Sequence, residues 1–245
     1  MGNLPTGMVT FVFTDIEGST RLWELHSHVM PTVLARHDAI IGGAINTHDG
    51  VVFRTAGDSF CAAFASAWAA FIATLVVQQA LTAEPWSEHG LPPGESLRVR
   101  IALHTGQVVL RDGNYSGPPL NRVARLLAAG HGGQTLLSLA TTELVRGQLL
   151  ADMVLHNLGE YHLRDLVQPE QIYQLVAPGL PTDFPPLRVH GNQADSPNNA
   201  EQQPMLHQAK LPDLPGIDYD AVLARDRQLN RRRSRKKPLE SEELF

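Results

Sequence analysis

One cysteine, Cys61, is all the thiol chemistry the 245 residues contain. An internal disulfide is excluded, as is a metal cage built on thiolates. That usage fits a reducing cytosol, and a cytoplasmic location is expected. Eleven histidines are present but none falls in a ligand pattern such as HExxH, so none is assigned a metal. GxGxxG and Walker patterns are also missing, which argues against a P-loop nucleotidase. No run of about 18 apolar residues occurs, so no membrane span is expected. The most apolar stretch, SAWAAFIATLVVQQAL (66–81), is too short and ends in polar residues. The opening MGNLPTGMVT lacks the charged and apolar regions of a signal peptide. Its Met-Gly start is a poor match to a myristoylation signal. The net charge of −5 is mild and argues weakly against nucleic-acid binding by the whole domain.

What remains is a chain that is 43% hydrophobic, enough for a sizeable core. MVTFVFT (8–14) reads as a strand buried on both faces. From Ser19 to about Thr47 apolar residues recur at helical spacing, with Pro31 kinking or dividing the run. DGVVFRT and DSFCAAF read as two strands of a tight hairpin about Gly57. A helix is expected over 66–83 and a strand over 97–105, with Gly106 breaking it before QVVL resumes. RDGNYSGPP reads as a loop. PLNRVARLLAAG is a helix with Pro119 near its start and Gly130 at its C-terminal cap. A strand (134–138), a helix (140–150) and strands near 153–163 and 170–176 close the series. The order β-α-β-β-α-β is the split βαβ plan of an α+β, ferredoxin-like fold, with additional C-terminal α and β elements. The domain is expected to occupy residues 1–177. Residues 178–218, rich in Pro, Asn, Gln and Asp, read as linker or disordered chain. Residues 219–245 form a charged tail that could hold a short helix. Its RRRSRKK run reads more simply as a solvated basic face than as a nucleic-acid site.

The chemistry begins at FVFTDIEGSTRLWE (11–24). An acid at a strand end, followed by small residues, is most often a helix cap. Asp58 alters that reading of Asp15. It sits at the Gly57 hairpin, and in this plan the hairpin lies beside the first strand. Two carboxylates at adjacent strand ends repel unless a cation lies between them. Oxygen ligands without Cys or His favour Mg²⁺ or Mn²⁺. The Gly18-Ser19-Thr20 turn offers backbone N–H groups at a helix start, which suits a phosphate. Asn121 and Arg125 lie four apart and share a helix face. Alone they are an ordinary solvent-facing pair. Beside a polyphosphate, Arg stabilises charge developing at phosphorus and an amide orients an attacking oxygen. Glu17 suits a helix start. His104 and Cys61 are expected as structural residues, and Trp23, Trp68 and Trp86 as core or interface.

FVFTDIEGST, FRTAGDSF, RIALHTGQV and GPPLNRVARL, in that order, resemble the class III adenylate and guanylate cyclase catalytic domain over about residues 7–177. The resemblance implies that Asp15, Asp58 and the Ile16 carbonyl hold two Mg²⁺ or Mn²⁺ ions per site. It implies that Asn121 and Arg125 act on the transition state and that Arg164 binds the triphosphate. It also implies a head-to-tail homodimer with composite sites, cyclising ATP to 3′,5′-cyclic AMP and pyrophosphate. Two positions depart from the family pattern. Arg54 stands where a base-reading lysine is usual, and Asn114 where an aspartate or small hydroxyl residue is usual. An amide can accept from an adenine amino group or donate to a guanine O6, so the choice between ATP and GTP stays open. The alternative is a weakly active or inactive cyclase-homology domain that binds nucleotide and regulates a partner.

Overall fold

The computed structural model describes residues 4–111 and 113–189. The charged tail at 219–245 and its RRRSRKK run lie outside the described residues. Seven strands form one sheet in the order β2-β3-β1-β4-β7-β9-β8. The chain supplies them as β1 (Gly7–Ile16), β2 (Val51–Ala56), β3 (Ser59–Phe64), β4 (Val99–Val108), β7 (Thr135–Ser138), β8 (Val154–Tyr161) and β9 (Glu170–Val176). The first four carry the expected split βαβ order, β2-β3-β1-β4, and the last three extend the sheet beyond β4. All neighbours are antiparallel except β4 and β7, which a helical crossover joins in parallel. A second, two-stranded ladder pairs β5 (Leu110–Arg111) with β6 (Asn114–Tyr115).

Burial explains the alternation along β1. Val12 and Ile16 face a core built with α2 (Met30–Thr47) and α3 (Ala67–Ala83). Val9, Phe11 and the half-buried Phe13 face the other side, with α4 (Pro118–Ala129). Both faces are covered, so the strand has the continuous apolar run seen in the sequence. α3 is apolar on nearly every side because sheet, α2 and α5 (Leu139–Val145) all touch it. Ser66 caps it, its hydroxyl accepting from the Ala69 N–H at 3.3 Å. Among the described residues no helix is long and apolar enough to cross a membrane.

The helical stretch 19–47 is two helices, α1 (Ser19–His26) and α2, with Pro31 in the first turn of the second. There its missing N–H leaves no intrahelical bond unmade. Three details differ from expectation. Gly106 does not break β4, which runs through it to Val108. A Cβ on Gly106 would lie 2.8 Å from Pro119 Cγ, so its role is to admit the start of α4 against the strand. The loop expected at 111–119 contains β6, and Pro118 starts the helix. The helix expected over 140–150 ends at Val145 and continues as one 3₁₀ turn, Arg146–Gln148. Of the tryptophans, Trp86 is buried and donates to the Leu81 carbonyl at 3.0 Å, Trp68 stacks on Phe71, and Trp23 is 37% exposed.

Residues 178–189, the start of the stretch read as linker, hold no helix or strand but lie on the domain. The Arg188 N–H donates to the Ala129 carbonyl at 2.9 Å, Leu187 is buried, and the His131 ring lies parallel to Phe184. The Arg188 guanidinium pairs with Glu17.

Gly106→Ala should push the first turn of α4 away from β4. The expected loss is about 1–3 kcal/mol of unfolding free energy, read from the midpoint of a denaturant titration. An unchanged midpoint would show that Pro119 yields without penalty.

Candidate active site

The antiparallel pairing of β1 with β3 and β4 decides where the acids go. Thr14 lies opposite Phe60, and Asp15 opposite Arg100. One step on, Asp15 meets the start of β3, where the Ser59 hydroxyl donates to Asp15 Oδ1 at 3.0 Å. Arg100 reaches Asp15 Oδ2 from the other side. A row of three polar side chains, Ser59, Asp15 and Arg100, thus crosses three strands. Asp58 occupies the two-residue loop of the β2–β3 hairpin with Gly57. Its Oδ2 accepts the Ile16 N–H at 3.1 Å. The two carboxylates that stand 43 positions apart in the chain are therefore brought to consecutive residues of one strand end. Beneath them lies His37, wholly buried, its ring 6.0 Å from that of Phe60. Burial holds the His37 imidazole below its usual range, against the pull of Asp38, Asp58 and Asp15.

The turn after Ile16 is set by Gly18, whose φ of 70° is a left-handed conformation that a side chain would strain. α1 starts there with no side-chain cap, and its first bond runs from the Leu22 N–H to the Gly18 carbonyl at 3.1 Å. The N–H groups of Ser19, Thr20 and Arg21 precede that bond and have no partner within the helix. Glu17 pairs with Arg98 and Arg188. Burial raises its pKa, but the Gly132 N–H, Arg188 and Arg98 outweigh this and hold it below the usual carboxylate range.

α4 buries Val123, Leu126 and Ala129 and turns Asn121 outward, with Arg125 half-buried one turn on. Their shared face is as the spacing requires. Arg125 Nη2 meets Asp165 Oδ2 at 2.6 Å, and Arg164 Nε lies 3.6 Å from the same oxygen. Arg122 is held by Glu170 at 2.5 Å. A cavity of about 370 Å³ is lined here by Gly117, Asn121, Arg122, Asp165 and Val167, among others, without Asp15 or Asp58. Within one chain the structure gathers Asn121, Arg125 and Arg164 at one place and the acid pair at another.

Arg54 and Asn114 come near each other through their neighbours. Phe53 and Tyr115 meet edge to face at 4.9 Å between ring centres. A bulge between Val52 and Arg54 puts Arg54 in register with Cys61. Burial pushes the Cys61 thiol up, partly offset by the Arg54 charge. The Tyr115 hydroxyl donates to the Pro5 carbonyl at 2.6 Å, and burial pushes its pKa up to about 12. Ser59, Arg100 and Asp165 were not picked out from the sequence. Arg100 is signalled by its charge in an otherwise apolar strand, and Ser59 by its place next to Asp58. Asp165 leaves no local signal.

The donor set at the β1 end fits a hard divalent cation. Every candidate ligand is oxygen, and Arg100 offsets only one of two negative charges. Among the described residues no group of three or more His, Cys, Asp or Glu forms a cage. A small ion held by two carboxylates, with further oxygens from substrate and water, is the usual magnesium arrangement.

The family model described as adenylate and guanylate cyclase catalytic domain matches residues 3–177. An uncharacterised protein of Mycobacterium tuberculosis is 45% identical over 187 residues, covering 76% of this chain and 61% of that protein. The chain thus spans about three-fifths of that relative's length. A receptor-type adenylate cyclase of Trypanosoma brucei brucei is 30% identical over 223 residues, 76% of this chain and 18% of its own. A solved structure of a Trypanosoma brucei adenylate cyclase in its monomeric state superposes with a TM-score of 0.66 at 29% identity. It covers 77% of this chain and 97% of that one.

His104 sits beside the α4 group, only 5% exposed, with Nδ1 on the Ser138 hydroxyl at 2.8 Å. Burial, then the Arg122 charge, push its pKa from 6.5 down to about 4. The folded value lies below the unfolded one. His104 therefore contributes stability that is complete above pH 6.5 and is lost as pH falls through 4. Between those values the wild type should lose about 3 kcal/mol more than His104→Gln, in denaturant titrations across that range. Parallel profiles would show that the imidazole charges freely in the fold.

Proposed function

The chain belongs to the adenylate and guanylate cyclase catalytic domain family, and from that premise we propose that it is a divalent-metal-dependent nucleotidyl cyclase. It converts a nucleoside triphosphate, ATP by preference, to the 3′,5′-cyclic nucleotide and pyrophosphate. The observation that carries the reading is the placement of Asp58 on the Ile16 N–H, beside Asp15. Asp15, Asp58 and the Ile16 carbonyl hold the metal, Mg²⁺ or Mn²⁺. Bound there, the metal supplies Lewis-acid activation of the ribose 3′-oxygen and neutralises phosphate charge. The N–H groups of Ser19 and Thr20 after Gly18 receive phosphate oxygens. Asn121 orients the ribose. Arg125 stabilises the charge that grows as the 3′-oxygen bonds to the α-phosphorus and the bond to the β-phosphate breaks. Arg164 holds the departing pyrophosphate. Arg54 and Asn114 face the base.

The acids and the Asn121–Arg125 pair occupy separate places in one chain, so a complete site takes both from two copies. A head-to-tail homodimer supplies two such sites. A second reading, a nucleotide-binding domain of low turnover, is favoured by the guanidinium of Arg100 on Asp15 and the departures at Arg54 and Asn114.

Purified protein with Mn²⁺ and either ATP or GTP should release the cyclic product. Asp15→Ala or Asp58→Ala should cut the rate at least about 100-fold, a loss of roughly 3 kcal/mol in transition-state stabilisation, without changing the oligomeric state. Mixing Asp58→Ala with Arg125→Ala should recover turnover, since one heterodimer site is intact. Proven heterodimers that stay inactive would sink the shared site. Arg54→Lys with Asn114→Asp should raise the ATP-to-GTP ratio of kcat/KM; an unmoved ratio would take both residues out of base reading.

A further inference from the structure

The β8–β9 connection carries an anomaly. Leu163 to Leu166 form a turn closed by the Leu166 N–H on the Leu163 carbonyl at 3.1 Å. Its third residue, Asp165, has φ of 61°, a position that such turns fill with Gly or Asn. Among the described residues only Asp49 shares that conformation without being glycine. The ion pair that Asp165 makes with Arg125 is 38% and 62% exposed on its two sides. Exposed pairs of this kind add little to stability, so the contact is open to exchange. What the carboxylate does achieve is placement. It lines the 370 Å³ cavity with Asn121 and lies within 3.6 Å of Arg164 as well as 2.6 Å from Arg125.

We propose that the Asp165 carboxylate is a built-in competitor for the phosphate site. It occupies the Arg125 guanidinium and offsets Arg164, so a polyphosphate must displace it to bind. A phosphate oxygen and the Asp165 oxygen are the same kind of acceptor, and they compete for the Arg125 Nη2 that Asp165 Oδ2 now holds. The incoming chain of phosphates also carries like charge toward Asp165. The residue therefore sets affinity: it keeps nucleotide binding weak and lets pyrophosphate leave. This deepens the proposed cyclase reading and rests on its placement of Arg125 and Arg164.

The test uses the full chain and metal-free inorganic tripolyphosphate, measured by calorimetry at fixed ionic strength. Asp165→Asn keeps the shape and tolerates positive φ while removing the charge. It should bind tripolyphosphate about three- to tenfold more tightly than wild type, the range expected for loss of an exposed pair plus a like charge. Asp152→Asn, which removes the same charge from an exposed position elsewhere, should leave the affinity unchanged. In an Arg125→Ala background the gain should shrink to the part owed to Arg164 and to the like charge. Equal or weaker binding by Asp165→Asn, no binding by either protein, or a gain undiminished by Arg125→Ala would each overturn the proposal. Tighter binding without cyclic product from either protein would uphold it and remove the cyclase reading instead.

Discussion

The site depends on register. β1 is paired on both sides, and that pairing fixes which residue of β3 and which of β4 flank each of its own. A shift of one residue would turn Asp15 into the α2–α3 core and move Ile16 to the opposite face of the sheet. The apolar alternation of Val12 and Ile16 against Phe11 and Phe13 prevents this, because both faces are buried and both would have to repack. The core thus does electrostatic work. It holds two like charges at one strand end, against their repulsion, with Ser59, Arg100 and the Ile16 N–H as direct partners.

The same logic accounts for what the sequence disclosed and what it concealed. Elements whose identity rests on local pattern were legible: β1 with apolar residues on both faces, the hairpin around Gly57, the amphipathic α4 and the division of 19–47 near Pro31. The juxtaposition of Asp15 with Asp58 was legible too, since it follows from strand order alone. Gly106 misled because glycine in a strand signals either a break or a close approach, and only the position of Pro119 decides between them. Asp165 stayed hidden for a related reason. Its meaning depends on a φ angle and on a guanidinium 40 residues earlier, neither of which leaves a mark on its neighbours. Residues 178–189 look like linker by composition, yet their few apolar side chains suffice to hold them against the domain.

Charge is arranged differently at the acid pair and at α4. At the acids, negative charge is concentrated and only partly offset, which suits an incoming cation. At α4, each guanidinium already has a carboxylate: Arg122 has Glu170 and Arg125 has Asp165. Glu170 is buried, so its pair with Arg122 positions the helix on β9. Asp165 is exposed, so its pair with Arg125 meets solvent. The two arginines differ by three positions and by the depth of their partners.

The contact of Arg188 with Glu17 bears on where this domain can be cut. The family match closes at residue 177, just after β9. Trimming there would strip Glu17, the residue after Ile16, of one of its two cationic neighbours and uncover the niche of Leu187. A protein ended there would retain the residues of every described strand and helix and lose the outermost brace on the turn that follows β1.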